Sequence, residues 1–284
     1  MSPIALSLVV CTRDRAAALP DCLQSLGALR CAREWELVLV DNGSRDETRA
    51  LLDTFAAAAP FDVRVVTEPR PGLGRARNAG VLASCGAVVA FTDDDCYPAP
   101  DYLDAVLAVF RDPALGFMGG RIVLHDPLDD PITTRDVAES TRLPAGSVVP
   151  TGLVQGANMA ARRDVLLRVG LFDPALGPGT PFCNDDVDFV ARASLAGYAG
   201  GYFPGPCVRH HHGRRSPEAV RRLRAIYDRG RGAYYAKRML DGPARAQFAR
   251  ELYWTLRAAP PARALRELGG ALRYAAHRAA GALR

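Results

Sequence analysis

Three adjacent aspartates, Asp93 to Asp95, stand where an apolar segment ends in the stretch "AFTDDDCYP". Neighbouring carboxylates repel one another, so the group is unfavourable unless water or a cation screens it. In an extended backbone Asp93 and Asp95 point to the same side and can ligate one cation. Mg²⁺ and Mn²⁺ prefer oxygen ligands, so a metal shared with a diphosphate would explain the cluster. A solvated acidic turn is the alternative.

Two stretches in the second half carry further candidates. "VRHHHG" supplies His210, and imidazole often joins carboxylates on Mn²⁺-type ions, although such a run also suits a solvated turn or a pH-sensitive patch. "FCNDDVDF" places Asp185 and Asp186 just before a helical pattern. A carboxylate held near a hydroxyl can act as a general base. Alternatively, acids at a helix start are favoured by the helix dipole, by about 0.3–1 kcal/mol.

The segment "RPGLGRARNAG" combines glycines with Arg75 and Arg77. It lacks the last glycine of G-x-G-x-x-G and follows the third strand pattern instead of the first, so it is a poor dinucleotide motif. This argues against a nicotinamide-dependent oxidoreductase. The two arginines are candidate phosphate contacts, and a basic helix start is the alternative.

Strand and helix patterns alternate in the first half, which predicts an α/β fold with a mostly parallel sheet and helices on both faces. Ligands of such sheets bind beyond the carboxyl ends of the strands. Polar residues cluster there: Thr12 and Asp14 after the first strand, Asp41 after the second and the aspartates after the fourth. The predicted strands are 4–10, 36–40, 63–67 and 87–92. Helices are predicted at 19–29 and 75–84, and another follows a Ser44–Glu47 capping box and ends at about residue 58.

The second half is less regular. A helix at 101–110 and a strand at 117–124 precede a long loop at 126–150, and loops of that length are usually functional or mobile. A strand "GGYF" is expected to lead through a short Pro-Gly-Pro-Cys link to the histidines. Helices are predicted at about 217–240, 243–258 and 261–282.

Composition sets the class of protein. The chain has 284 residues, 49% hydrophobic and 24% charged, as in a soluble globular protein. Its apolar runs are far shorter than the roughly 20 residues of a membrane helix, and no signal peptide is evident. Seven cysteines without a C-x-x-C pair indicate free thiols in a reducing compartment and argue against a cysteine zinc site. We therefore expect a cytoplasmic protein.

Positive charge is concentrated at the end of the chain. From Cys207 onward there are 18 Lys and Arg against 5 Asp and Glu. Such a tail is compatible with an anionic membrane surface or with nucleic acid, but few aromatic residues are arranged for base stacking, so nucleic acid is not expected. We expect the middle helix of the tail to pack on the core. The last helix, with its row of leucines, either packs there or lies on anionic lipid.

Taken together, these stretches resemble a family 2 glycosyltransferase with the GT-A fold. The match covers about residues 4–213 in the family's order, and also includes "LVLVDNGSRDET", "QGANMAARRDVLLRVGLFDPALG" and "NDDVDFVARASLAGY". The resemblance implies a nucleotide-diphosphate sugar donor, a divalent cation (Mn²⁺ or Mg²⁺) and inversion at the anomeric carbon. It also implies a GT-A domain at 1–213, with a nucleotide-binding half at 1–98 and an acceptor half at 99–213, followed by a basic helical extension at 214–284. The acceptor, whether glycan, lipid-linked or small molecule, is not indicated.

The resemblance also implies roles for single residues. Thr12 and Asp41 match positions that hold the base, and Asp93 matches one that contacts the ribose. Asp95 resembles the metal ligand of a D-x-D motif, and another register would give that role to Asp94. Asp186 matches the catalytic base, which in the family usually follows a Glu and here follows Asp185. His210 resembles the histidine that closes the metal and diphosphate site in part of the family. The segment Gly156-Ala157-Asn158 matches the one that lines the sugar and acceptor pocket. A donor-binding protein without transfer activity is a further alternative.

Overall fold

The computed structural model describes residues 3–242 and 244–281, and this part of the chain forms one nine-stranded sheet flanked by helices. The strand order is β3-β2-β1-β4-β8-β6-β9-β5, and β7 pairs with β9. The strands are β1 (Leu6–Thr12), β2 (Trp35–Asp41), β3 (Asp62–Thr67), β4 (Val88–Asp93), β5 (Cys96–Pro98), β6 (Phe117–Leu124), β7 (Thr141–Leu143), β8 (Asn158–Arg162) and β9 (Gly200–His210).

The first four strands of that order pair in parallel, as predicted. Thr12 lies opposite Asp41, and Cys11 lies opposite Asp93, so the carboxyl ends of β1, β2 and β4 meet at one edge. Beyond β4 the sheet is mixed, because β8 runs antiparallel to both β4 and β6 while β9 is parallel to β6. Strand β9 is one continuous strand, so the predicted link before the histidines is wrong.

Helices cover both faces of the sheet. Leu8 and Val10 of β1 pack into one apolar cluster, while Val9 between them packs into the cluster on the other face. This alternation explains why β1 is apolar throughout and confirms the predicted α/β class. The helices are α1 (Leu19–Gly27), α2 (Thr48–Ala58), α3 (Leu73–Ala83), α4 (Tyr102–Val109), α5 (Arg163–Val169), α6 (Asp185–Leu195), α7 (Pro217–Asp241), α8 (Arg245–Ala258) and α9 (Pro261–Ala279).

The predicted capping box before α2 does not form. Helix α2 begins at Thr48 without a side-chain cap, since the Ser44 hydroxyl accepts a hydrogen bond from the backbone N–H of Asp14 instead. This hydrogen bond therefore joins the loop after β1 to the loop after β2.

The three C-terminal helices pack on the body and on one another. The carboxylate of Asp188 in α6, fully buried, contacts Lys237 Nζ of α7 at 3.0 Å and Arg238 of α7 at 2.9 Å. These ion pairs cross the predicted 213/214 domain boundary, which stays a prediction. The predicted end of the last helix, residue 282, lies outside the described residues. Among the helices described, none has a stretch long and apolar enough to cross a lipid bilayer.

Candidate active site

The ends of β1 and β2 bring Thr12 and Asp41 side by side, both buried. Asp41 Oδ1 accepts a hydrogen bond from the Ser44 N–H at 3.0 Å. The Thr12 hydroxyl oxygen is buried and makes no hydrogen bond of standard geometry in the described part of the chain. Burial has the larger effect on the pKa of Asp94 and raises it, whereas the Thr12 hydroxyl lies close enough to that carboxylate to favour its ionised form. A buried hydroxyl and a carboxylate therefore adjoin at this edge of the sheet.

Side chains in the neighbouring loops fix the shape of this edge. Asp14 has a left-handed backbone (φ 51°), and its Oδ1 accepts a hydrogen bond from the Arg45 N–H at 2.7 Å. Asn42, the neighbour of Asp41, donates to the carbonyls of Glu68 and Arg70 and accepts from the Gly72 N–H. Asp14 and Asn42 thus order loops in this structure, and the donor contact expected of Asp14 stays a prediction.

Asp94 and Asp95 form a turn instead of continuing the strand, so the extended backbone assumed for the aspartates ends at Asp93. Burial raises the pKa of Asp93, and the Asp95 carboxylate and the His210 ring are nevertheless close enough to act on it. A cation shared by Asp93 and Asp95 stays a prediction. Each carboxylate has its own partner: Asp93 contacts Arg77 at 3.2 Å, Asp94 contacts Arg15 Nε at 3.4 Å, and Asp95 contacts His210 Nε2 at 3.4 Å. These separate partners explain how the chain tolerates three carboxylates in a row. Burial raises the pKa of Asp94 to about 6.

Asp95 and His210 form the candidate metal centre. Burial disfavours the imidazolium, but the hydrogen bond and the charge of Asp95 outweigh it and raise the pKa of His210. His210 Nδ1 lies 3.4 Å from the Thr133 carbonyl oxygen, and metal-binding histidines commonly donate their second ring N–H to such a group. The carboxylate and imidazole donors fit Mn²⁺ or Mg²⁺ chemistry.

Two neighbours modify the predicted ligand set. The Cys96 thiol lies within 4.8 Å of the Asp95 and His210 donor atoms. Burial raises the pKa of Cys96 well above its usual value, so a neutral thiol is expected, which is a poor ligand for a hard cation. Asp93 is turned towards Arg77, and its predicted metal contact stays a prediction.

Arg77 of α3 is buried between two parts of the site. Its Nη1 contacts Asp185 Oδ2 at 2.7 Å and its Nη2 contacts Asp93 Oδ1 at 3.2 Å. An ideal Cβ on Gly156 would lie 2.3 Å from Nη2, so only glycine leaves room for the guanidinium. The phosphate contacts expected of Arg77 and of the partly exposed Arg75 stay predictions. In the structure, Arg77 bridges Asp93 at the end of β4 and Asp185 at the start of α6.

Helix α6 presents its first two acids to different surroundings. The preceding residue Asn184 has a left-handed backbone (φ 79°), a conformation that Asn tolerates, and it reverses the chain into the helix. Asp185 is 3% exposed and paired with Arg77, whereas Asp186 is partly exposed. Asp186 Oδ2 accepts a hydrogen bond from the Gly156 N–H at 2.7 Å. Burial and then the Asp185 carboxylate raise the pKa of Asp186 to about 6, the range that suits a general base.

Asn158, expected to line the sugar pocket, lies inside the sheet with no exposed surface. Its amide donates to the carbonyls of Arg121 and Pro206, and its oxygen accepts from the Tyr102 hydroxyl. All of these bonds stabilise the sheet, so the surroundings of Asn158 favour a structural role over a donor contact.

Arg214 and Tyr227, neither of which was predicted from the sequence, act electrostatically with the site from the segment after β9. Arg214 is among the charges that lower the pKa of Asp95, where burial acts in the opposite direction. Burial raises the pKa of Tyr227 in α7, and the Asp186 and Asp93 carboxylates add to the effect. Arg214 directly follows the histidine stretch and could have been suspected. Tyr227 had no signal, because only the packing of α7 brings it near.

Comparison with known proteins gives one family. The family model described as "Glycosyl transferase family 2" matches residues 7–166, more than half of the chain. Glycosyltransferase AglE of Haloferax volcanii is 25% identical over 194 residues, 68% of this chain and 62% of that protein. A pre-mycofactocin glycosyltransferase of Mycobacterium tuberculosis is 29% identical over 214 residues, 72% of this chain and 42% of that protein. The chain thus spans less than two thirds of the length of either relative.

Solved structures are similar over most of the chain. Mannosyltransferase PcManGT from Pyrobaculum calidifontis, in complex with GDP-Man and Mn²⁺, superposes with a TM-score of 0.68 at 22% identity, over 99% of this chain and 82% of that one. S. aureus TarS in complex with UDP-GlcNAc gives 0.61 at 17% identity, over 86% of this chain and 69% of that one. These likenesses confirm the GT-A fold predicted from the sequence.

Proposed function

Because the chain belongs to glycosyl transferase family 2, we propose that it moves a sugar from a nucleotide-diphosphate sugar to an acceptor hydroxyl by single displacement with inversion. One observation carries the proposal. Asp185 is neutralised by buried Arg77, while Asp186 is partly open, hydrogen-bonded to the Gly156 N–H and shifted in pKa to about 6. Two adjacent acids in such different surroundings suit different tasks.

In this proposal Asp186 is the general base. It takes the proton of the acceptor hydroxyl as the hydroxyl oxygen attacks the anomeric carbon and the nucleoside diphosphate leaves from the opposite face. The Gly156 N–H holds Asp186 Oδ2 in place, so the carboxylate is oriented before the acceptor arrives. Asp185 holds the start of α6 against Arg77 and does not take the proton.

Asp95 and His210 would hold a divalent cation, Mn²⁺ or Mg²⁺. When bound, the cation would offset the negative charge that develops on the departing diphosphate. The Mn²⁺ in the PcManGT complex supports this choice of ion. Thr133 orients the His210 ring through its carbonyl oxygen, leaving Nε2 directed at the Asp95 carboxylate.

Donor binding is assigned to the sheet edge. We place the base at Thr12 and Asp41, which lie opposite each other at the ends of β1 and β2, and the ribose near Asp93. The bound donors of the structural neighbours, GDP-Man and UDP-GlcNAc, support a nucleotide sugar without choosing the base. The acceptor remains a glycan, a lipid-linked or a small molecule, and a cytoplasmic location stays a prediction.

Titration calorimetry with UDP, GDP and their sugars tests the donor and metal parts together. We expect binding with Mn²⁺ that is lost in EDTA, because the aspartates otherwise repel the phosphates. Asp95→Asn should weaken Mn²⁺-dependent binding, while Asp164→Asn on the exposed surface of α5 serves as the matched control. Equal affinity with Mn²⁺ and with EDTA would contradict the metal role. Release of nucleoside diphosphate from the bound donor, with water as the acceptor hydroxyl, would favour an enzyme over a binding protein.

A further inference from the structure

Helix α9 packs on the body through one side that carries an acid, a glycine and a tyrosine. Its buried residues are Glu267, Gly270 and Tyr274. An ideal Cβ on Gly270 would lie 2.0 Å from the Arg229 carbonyl oxygen of α7, and one on Gly232 of α7 would lie 1.8 Å from the Glu267 carbonyl oxygen. The two helices therefore cross at close range along glycines, and the face of α9 that contacts the protein is fixed.

The leucines of α9 face outwards as a result. Leu265, Leu268 and Leu272 share one side of the helix and are 70%, 42% and 72% exposed. On α8, where Phe248 and Leu252 are buried, Tyr253 and Trp254 are 55% and 56% exposed and pack edge to face on each other. Large apolar side chains are thus exposed on two consecutive helices, and such side chains mark candidate interaction sites when they adjoin.

The charge around these side chains is strongly positive. Between Arg245 and Ala279 there are seven arginines and two glutamates. Glu267 is buried and paired with Arg231 and Arg263, so it does not offset charge on the outer surface. Within this stretch, the exposed arginines that form no ion pair in the described part of the chain are Arg245, Arg250, Arg257 and Arg273. The Arg273 guanidinium also lies 6.0 Å from the centre of the Phe182 ring.

We propose that these side chains, called here the apolar-basic face (Tyr253, Trp254, Leu265, Leu268, Leu272, Arg250, Arg257 and Arg273), dock on the surface of a bilayer that contains anionic lipid. Leucines enter the acyl boundary, Trp and Tyr occupy the headgroup level, and arginines pair with lipid phosphates. A second copy of the chain would fit the apolar-basic face less well, because the arginines of the two copies would face and repel each other. Docking stands apart from the proposed chemistry, since it uses none of the residues placed in the active site.

Co-sedimentation of the full chain with vesicles tests the proposal. We expect binding to phosphatidylcholine vesicles that contain phosphatidylserine, weakened by salt, and little binding to phosphatidylcholine alone. Leu265→Ser with Leu272→Ser should lower partitioning by about tenfold for each leucine, because burying one leucine changes a partition coefficient by that order. Arg257→Gln with Arg273→Gln should reduce binding mainly at low salt.

The matched controls are Leu82→Ser on α3, where the leucine is 63% exposed, and Arg33→Gln on another exposed surface; both should bind as the wild type does. Far-ultraviolet circular dichroism and retained UDP or GDP binding verify that the variants are folded. The proposal is overturned if the wild type stays in the supernatant at low salt, or if the leucine variant sediments as well as the wild type. It is also overturned if the chain ignores vesicles and forms a dimer that the leucine variant dissociates.

Discussion

Replacing Arg77 by methionine removes the charge that joins Asp93 to Asp185 while keeping most of the side-chain volume. The Asp185 carboxylate would remain buried, with its side chain 4% exposed and without its ion-pair partner. Breaking a buried pair in this way costs about 3–5 kcal/mol of unfolding free energy. The Asp93 contact adds little, because a third of that side chain is open to water.

Urea denaturation measures this cost, and a second substitution locates it. Arg77→Met with Asp185→Asn removes both charges, so we expect it to recover about 1–3 kcal/mol relative to Arg77→Met alone. Arg49→Met is the matched control: its partner Asp53 is exposed, and the loss should stay within about 0.5 kcal/mol. An Arg77→Met protein within about 1 kcal/mol of the wild type, or a double variant no more stable than the single one, would refute the reasoning.

Three further predictions follow from packing and charge. Release of nucleoside diphosphate should rise as the pH increases through about 6, because Asp186 with its raised pKa is protonated below that value and cannot act as a base; a rate that is constant across that pH contradicts it. Gly232→Ala should cost about 1–3 kcal/mol in urea, since its Cβ meets the Glu267 carbonyl oxygen, whereas Gly269→Ala, with open space, should cost nothing. Burial opposes the ionisation of Asp188, but Lys237 and other cations outweigh it and lower the pKa of Asp188 in the folded protein. Asp188 therefore stabilises the fold fully above the pKa that it has in the unfolded chain, and this stabilisation is lost as the pH falls towards its lower pKa in the folded protein. Urea midpoints across acidic pH should therefore depend less on pH in Asp188→Asn, and an unchanged dependence would contradict this role.

The elements that build the sheet edge were predictable because they depend on local pattern. Continuous apolar strands that end in polar residues identify β1, β2 and β4, and parallel pairing then brings Thr12, Asp41 and Asp93 together. The fold class and the place of the site follow from these facts alone.

What the sequence could not supply depends on distant partners. Asp93 contacts Arg77 and Asp95 contacts His210, and both partners are far away in the chain. Helix α9 presents its leucines to solvent because buried Glu267 pairs with Arg231 of α7 and Gly270 allows close packing on α7. Apolar spacing alone gives the amphipathic character of a helix, not which side meets the protein.

The most direct test of the account is a comparison of Asp186→Asn with Asp185→Asn on donor turnover. Nucleoside diphosphate release would be followed for each nucleotide sugar that the wild type binds, with donor affinity measured on the same samples. We expect Asp186→Asn to bind donor normally and to lose turnover by roughly 10² to 10⁴, the usual contribution of a general base, while Asp185→Asn is milder. Near wild-type release by Asp186→Asn would contradict the assignment and transfer the role to Asp185.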